Sequence, residues 1–329
     1  MRQSNIELCR LASILLVMLV HTTTQSLGYE ASLGVKLLTG FTIVGVNVFI
    51  LITGYFSTTP KKSSLANLAF ICLFWMIVKV AFRYGFNEPV TFKHPFFITS
   101  SNWFIASYIG LLFLTPMLNS FCNSAVKRNV VGGVIFLLFI EMWFDWLPPH
   151  PTVSLGTQNG YSVLSFAILY LLGRVIRLYG LPLWFKKSCI PIYVGCSLLL
   201  GIVAHYGVEM GHLGVHGMCF SYINPVVILS SVAFLATFEQ MSFTSRFINH
   251  IAKSTLAVLL GHTGINFLYH KQFKYIYDHF SGIEVVGFWI LSIAIVFTAS
   301  IVVDQIRLLL YYPIERLMKS KIKSNNIFE

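Results

Sequence analysis

Apolar runs separated by short turn-rich or charged stretches recur from one end of the chain to the other. They predict ten helical spans, at about 8–27, 36–56, 64–84, 101–121, 130–147, 161–179, 188–205, 218–238, 254–270 and 284–312. Each is long enough, alone or tilted, to approach the ~30 Å hydrocarbon thickness of a bilayer. The seventh and ninth are the shortest or are interrupted by Gly and His. No internal repeat is visible and no long polar segment remains. The pattern therefore predicts a single all-α, polytopic membrane domain over 1–329, with short connections and no soluble module.

Composition agrees with lipid as the solvent. Of the 329 residues 56% are hydrophobic and 11% charged, and mean hydropathy is +0.74. A soluble domain of this size carries roughly 25% charged residues, so soluble enzyme folds are excluded. The 23 Lys and Arg exceed the 12 Asp and Glu. With the N-terminus assigned to the cytoplasm, 17 of these cations fall inside and 6 outside or near outer span ends. That bias predicts cytoplasmic termini and accounts for the surplus charge without nucleic acid. It also predicts an outward loop at 148–160 in which Thr157 is reachable from outside, while Asn325 is not. Arg2 and Arg10 followed by apolar Leu11–Val20 resemble a signal peptide, but no small-x-small site follows, so the segment is expected to remain. The six cysteines sit mostly inside apolar runs without metal-ligand spacing and read as small buried hydrophobes.

The sharpest chemical signal lies in the first span. Arg10 and His21 are eleven residues apart, about 1100° on a helix, so they share a face ~16 Å apart along the axis. Glu7, Ser13, Thr24 and Gln25 fall near the same face, while Leu8, Leu11, Ala12, Leu15 and Leu19 lie opposite. Ionisable residues within a span mark a pathway or a site. The plainer readings are positive-inside anchoring for Arg10 and a helix-packing hydrogen bond for His21. A base deep in the membrane, aligned with a cation at the cytoplasmic mouth, suits reaction with an anionic cytosolic donor.

The run from Arg2 to His21, RQSNIELCRLASILLVMLVH, resembles the first span of the membrane acyltransferase 3 family, whose mark is Arg or Lys, ten residues, then His. VGVNVFILITGYF (Val44–Phe56) is similar to that family's second span and SNWFIASYIGLLFLTPML (Ser101–Leu118) to its fourth. Asn159–Arg177, Asn224–Phe234 and Ile248–His262 follow its habits in the expected order. The resemblance implies O-acylation, usually O-acetylation, of a surface polysaccharide or lipid-linked glycan in the cell (cytoplasmic) membrane. The donor would be cytosolic acetyl-CoA or another acyl-CoA, bound as substrate and not as a tight cofactor. It implies an essential His21 and a donor-engaging Arg10. Many relatives carry an acid where this chain has Asn47, which cannot ionise, and Arg residues before the third span, for which Lys61 and Lys62 would stand in. The fused extracytoplasmic hydrolase-like domain of some relatives is expected to be absent.

Other positions are candidates at one remove. Trp103, Phe104 and Tyr108 begin the fourth span, as an aromatic interface belt or a sugar platform. His262 shares a helix face with Thr255 and Asn266 and reads as a second catalytic or substrate-binding residue, or as packing. Glu7 and Asn47 join the possible substrate contacts. Asp304 and Arg307 are spaced for a structural ion pair. His212 and His216 have i,i+4 spacing but lack a third ligand, so no metal is expected. The expected mechanism places donor phosphates on Arg10 with Lys61 or Lys62. His21 then acts either as general base on the acceptor hydroxyl or as the acyl-carrying nucleophile. The rival expectation is a transporter or flippase without acyl transfer.

Overall fold

The computed structural model describes residues 3–23, 27–28, 31–90, 102–147 and 154–325, with the side chains of 266, 267, 269 and 317–325 excepted. It is all-helical: 83% helix, with no strand among the described residues. Among the described residues, seven helical runs are long and apolar enough to cross a membrane, Leu33–Tyr55 and Lys127–Trp146 each counted as one. Helix α1 (Ser4–Thr22) is followed by α2 (Leu33–Thr42) and α3 (Gly45–Tyr55), then α4 (Lys62–Gly85) and α5 (Trp103–Ser124). Next comes α6 (Lys127–Glu141), which ends in a π-helical turn, Met142–Trp146. After α7 (Val163–Tyr179) and α8 (Cys189–Glu209) come the short α9 (Leu213–Cys219), α10 (Pro225–Glu239) and α11 (Arg246–Ile251). The chain closes with α12 (Thr255–Gly264), α13 (Asn266–His279) and α14 (Ile283–Asn325).

The predicted runs are all helical, but their boundaries and continuity differ. The second is broken at Ile43–Val44, the ninth at Ile265, and the eighth starts only at Pro225, behind a separate α9. Asn224 explains that start: its side chain accepts from Val226 N at 2.8 Å while Pro225 opens the helix. Helix α1 is enclosed on more than one side. Ile6, Cys9, Ile14, Val17 and Met18 are buried alongside Glu7 and Ser13, because α1 is central and touches α3, α10, α11 and α12. Thr157 is likewise buried, not reachable: Asp145 accepts from its N–H at 2.8 Å and from its hydroxyl. Residues 148–153 of that loop, Thr24 and Gln25 lie outside the described residues.

Two glycine pairs set how closely the helices approach. A Cβ on Gly54 would collide with the Tyr170 carbonyl, and one on Gly173 with the Leu51 carbonyl, so α3 and α7 meet backbone to backbone. Gly40 against Ser197 and Gly201 against Leu37 do the same for α2 and α8. In lipid, where burying apolar surface gains little, such contact lets dispersion hold helices together. Polar ties lock the end of the bundle that carries Tyr55. Arg177 donates to the Tyr55 hydroxyl (3.0 Å), which donates to Glu239 (3.3 Å), and Glu239 pairs with Lys186 (3.5 Å). The predicted pair is present: Arg307 grips Asp304 with Nε and Nη2, both residues buried, and reaches the half-buried Asn67 with Nη1 at 2.9 Å.

Candidate functional site

The two ends of α1 open onto different cavities, with His21 between them. At the Arg10 end a cavity of about 230 Å³ is lined by Arg10, Thr53, Tyr108, Lys253, Thr255 and the apolar Phe49, Phe104 and Leu259. A second, of about 210 Å³, adjoins it through Thr58, Tyr108, Lys253 and Leu256, and reaches Asn67 and Arg307. Together they form a lower chamber whose walls carry three cations. Arg10 holds Glu7 at 2.8 Å and keeps 23% of its side chain exposed, whereas Glu7 is buried. A helix terminus and a break explain the shape. The single 3-10 turn Ala252–Ser254 between α11 and α12 turns Lys253 into this space.

Phe104 and Leu259 form the wall shared with a small cavity of about 40 Å³ that His21 lines with Trp103, Thr263 and Tyr222. Arg10 and His21 therefore do point along one face, as their spacing predicts. His262 reaches the same place from α12: its Nε2 lies 2.8 Å from Nδ1 of His21, and its Nδ1 lies 2.8 Å from the Val258 carbonyl. A carbonyl only accepts, so the proton of neutral His262 sits on Nδ1. Its Nε2 must then accept, and His21 must donate from Nδ1. Nε2 is left as the basic nitrogen of His21. This is a base oriented by a second imidazole, which is oriented in turn by the backbone. Its geometry suits proton abstraction or nucleophilic attack.

Beyond Tyr222 lies an upper chamber of about 510 Å³ at the Val20 end of α1, walled by Trp146, Tyr161, Phe220, Tyr222, His216 and Asn159. The chain builds this wall with care. Asn47 Nδ2 donates to the Tyr222 carbonyl (2.8 Å), and Tyr222 N–H donates to Asn159 O (3.3 Å). Gly160, at φ 97°, passes so close to Tyr222 that a Cβ would strike it. Both features demand glycine there. The π turn aims Trp146 inward, where Nε1 donates to Met218 O at 2.9 Å. A fifth cavity, about 330 Å³ and nearly all apolar, touches the His21 cavity through Leu260 and is lined by Trp75, Phe82, Ile295 and Lys79.

Of the sequence candidates, Arg10, His21, Trp103 and Tyr108 line these spaces, and His262 supports His21. Trp103 is half-buried, packed on Tyr161 at 4.4 Å and on Tyr222 and Phe166 at 6.0 Å. Glu7 acts through Arg10, and Asn47 holds Tyr222 in place without lining a chamber. Lys61 and Lys62 are exposed, beside the Pro60 and Ser64 that edge the lower chamber. The sequence pattern does not single out Lys253, Tyr161 or Tyr222 as site residues, and marks His216 only for its spacing from His212. Lys253 lies two residues before Thr255, where the His262 helix starts.

The fold and site define an all-helical membrane-embedded protein with an imidazole pair between two polar chambers. No family model matches the chain, and no curated protein or solved structure matches it either.

Proposed function

We propose that the protein is a membrane O-acyltransferase, of the kind its first span resembles, moving an acetyl or other acyl group from acyl-CoA to a saccharide hydroxyl. The observation that carries this reading is the His262–His21 pair standing between a cationic chamber and an aromatic, polar one. Ten spans with cytoplasmic termini in the cell membrane, as the Lys and Arg distribution favours, would make the lower chamber cytosolic. Donor phosphates then meet Arg10 and Lys253, with Lys61 and Lys62 at the mouth, since clustered cations suit phosphate. The thioester would reach His21 along the ~16 Å from Arg10, a distance suited to an extended pantetheine arm.

With His21 as base, Nε2 takes the acceptor hydroxyl proton while the oxygen attacks the thioester carbonyl. The C–S bond breaks and the thiolate leaves, receiving that proton. With His21 as nucleophile, Nε2 attacks the thioester carbonyl and the C–S bond breaks as the thiolate leaves; the acceptor oxygen then attacks the acyl carbon, the C–N bond breaks, and the hydroxyl proton passes to the thiolate. Either route builds positive charge on His21, which the acceptor Nε2 of His262 stabilises through the 2.8 Å bond.

Purified protein in nanodiscs should release free CoA from acetyl-CoA faster when a saccharide acceptor is added. No CoA release with any acceptor would reject the proposal. Chambers on both sides of a narrow barrier also favour a second reading, a transporter that passes its cargo by moving Phe104, Leu259 and Tyr222. That protein would translocate substrate and leave acetyl-CoA intact.

A further inference from the structure

The acyl-transfer reading leaves the fifth cavity without a use. It lies between α4, α12 and α14, measures about 330 Å³, and is walled by apolar side chains apart from Lys79 and Ser300. That volume falls in the range of small-molecule sites. Exposed Phe82 and Ile295 border it. Both α4 and α14 contain runs long and apolar enough to cross a membrane, so this mouth faces hydrocarbon and not water. Along α14 the cavity extends from Ile295 to Val303, ~12 Å of helix.

The two ends of the cavity differ. At one, Lys79 itself forms part of the wall, and its stem lies against Gly264, whose Cβ would meet the lysine Cβ and Cγ at 3.7 and 3.8 Å. Lys79 makes no ion pair among the described residues, and no Asp or Glu lines the cavity. A turn further along α4 the helices close up: a Cβ on Gly261 would strike the Ser300 hydroxyl and the buried Trp75 ring. One cation at the end of an apolar trough open to lipid complements an amphiphile with an anionic head. A lysine near a span end can snorkel to water, but that accounts neither for the trough beside it nor for the missing acid.

The position of α12 gives the head a direction. Gly264 borders the trough at Lys79, while the preceding Thr263 lines the His21 cavity, and Leu260 lines both. A group attached to a phosphate on Lys79 therefore stands beside the wall that leads to His21.

We infer that this side cavity seats a lipid-linked phosphosaccharide, its hydrocarbon between α4, α12 and α14, its phosphate on Lys79 and its saccharide toward His21. The inference deepens the acyl-transfer reading and rests on it for naming this lipid the acceptor. The binding itself requires no donor.

The test is photolabelling of the full chain in phosphatidylcholine nanodiscs, without acyl-CoA. Two probes share a dodecyl tail carrying a diazirine. One ends in a phosphate-linked disaccharide and the other in the same disaccharide without phosphate. Adducts are mapped by mass spectrometry. The phosphate probe should label Trp75, Ile295 or Val303 and half-saturate at a concentration about tenfold lower than the neutral one, the scale of one charge-assisted hydrogen bond. Ile135 and Phe136, exposed on α6, should label without saturation by either probe. Lys79→Met should erase the difference between probes and Lys79→Arg should keep it, while Gly264→Leu, which fills the trough, should abolish saturable labelling by both. Equal half-saturation of the two probes on wild type, or cavity labelling no more saturable than that of Ile135, would overturn the inference even if the variants failed to fold. Suppression by lauroyl-CoA but not by unlabelled phosphate lipid would overturn it too, giving the trough to the donor's acyl chain. So would equal competition by the tailless phosphodisaccharide. CoA release measured on the same preparation separates the two proposals. Release without phosphate preference rejects only this inference, and phosphate preference without release rejects only acyl transfer.

Discussion

His21 and His262 lie 241 positions apart in the chain and 2.8 Å apart in the fold, Nδ1 to Nε2. The Val258 carbonyl fixes the proton on His262, and so fixes which nitrogen of His21 is basic. His262 is thereby a positioning residue, and the consequence is measurable. His262→Ala should lower kcat by about 10²-fold, within the range for a positioned acid–base group, with the acyl-CoA KM nearly unchanged. His262→Gln, whose amide oxygen can accept from His21, should recover part of that loss. Equal loss in both variants would indicate a purely structural role.

Arg10 separates donor binding from anchoring. Arg10→Lys keeps the charge and loses the planar fork. Its acyl-CoA Kd should rise about tenfold, or ~1.4 kcal/mol. Arg10→Ala should raise it further. Lys253→Ala should also raise it, because Lys253 lines both parts of the lower chamber. Glu7→Gln tests whether the variants act merely by disturbing the Arg10–Glu7 pair. Donor affinities unchanged in all four would return Arg10 to anchoring.

The helix contacts make a stability prediction. Gly54→Ala and Gly173→Ala each force a methyl into a backbone carbonyl of the neighbouring helix. Overpacking of this kind costs typically 1–3 kcal/mol. Both should lower Tm in detergent, while Gly132→Ala, which meets nothing within 4 Å, should not. Identical melting of all three variants would refute the close α3–α7 approach.

Topology is read by thiol labelling in intact cells. Because Thr157 is buried, the outer probe belongs at the exposed Ser154, and the inner one at the exposed Lys187. Impermeant reagent should reach Ser154→Cys and not Lys187→Cys. The reverse pattern would invert the assignment of the two chambers.

Hydropathy disclosed the helical class and the approximate place of each run, because a chain in lipid must satisfy its backbone within helices. It did not disclose which faces meet protein. Leu11 and Ile14 look the same to a hydropathy window whether lipid or another helix covers them, and here another helix does. The Arg10–His21 face was legible because helical spacing is local. The His21–His262 bond was not, since nothing local couples positions 241 apart. The upper chamber was hidden for a similar reason: Trp146, Asn159, His216 and Tyr222 come from separate segments joined by Asn47 and Asn224.

The most direct test of acyl transfer follows the acyl group itself. Acetyl-CoA carrying ¹³C in its acetyl group is incubated with the nanodisc protein and a saccharide acceptor, and the saccharide is weighed by mass spectrometry. Wild type should place the labelled acetyl on a saccharide hydroxyl, with one free CoA released per acetyl transferred. His21→Ala, recovered at normal abundance, should leave both substrates unchanged. Labelled acetate on the saccharide at equal rates with and without His21, or intact acetyl-CoA beside translocated saccharide, would contradict it.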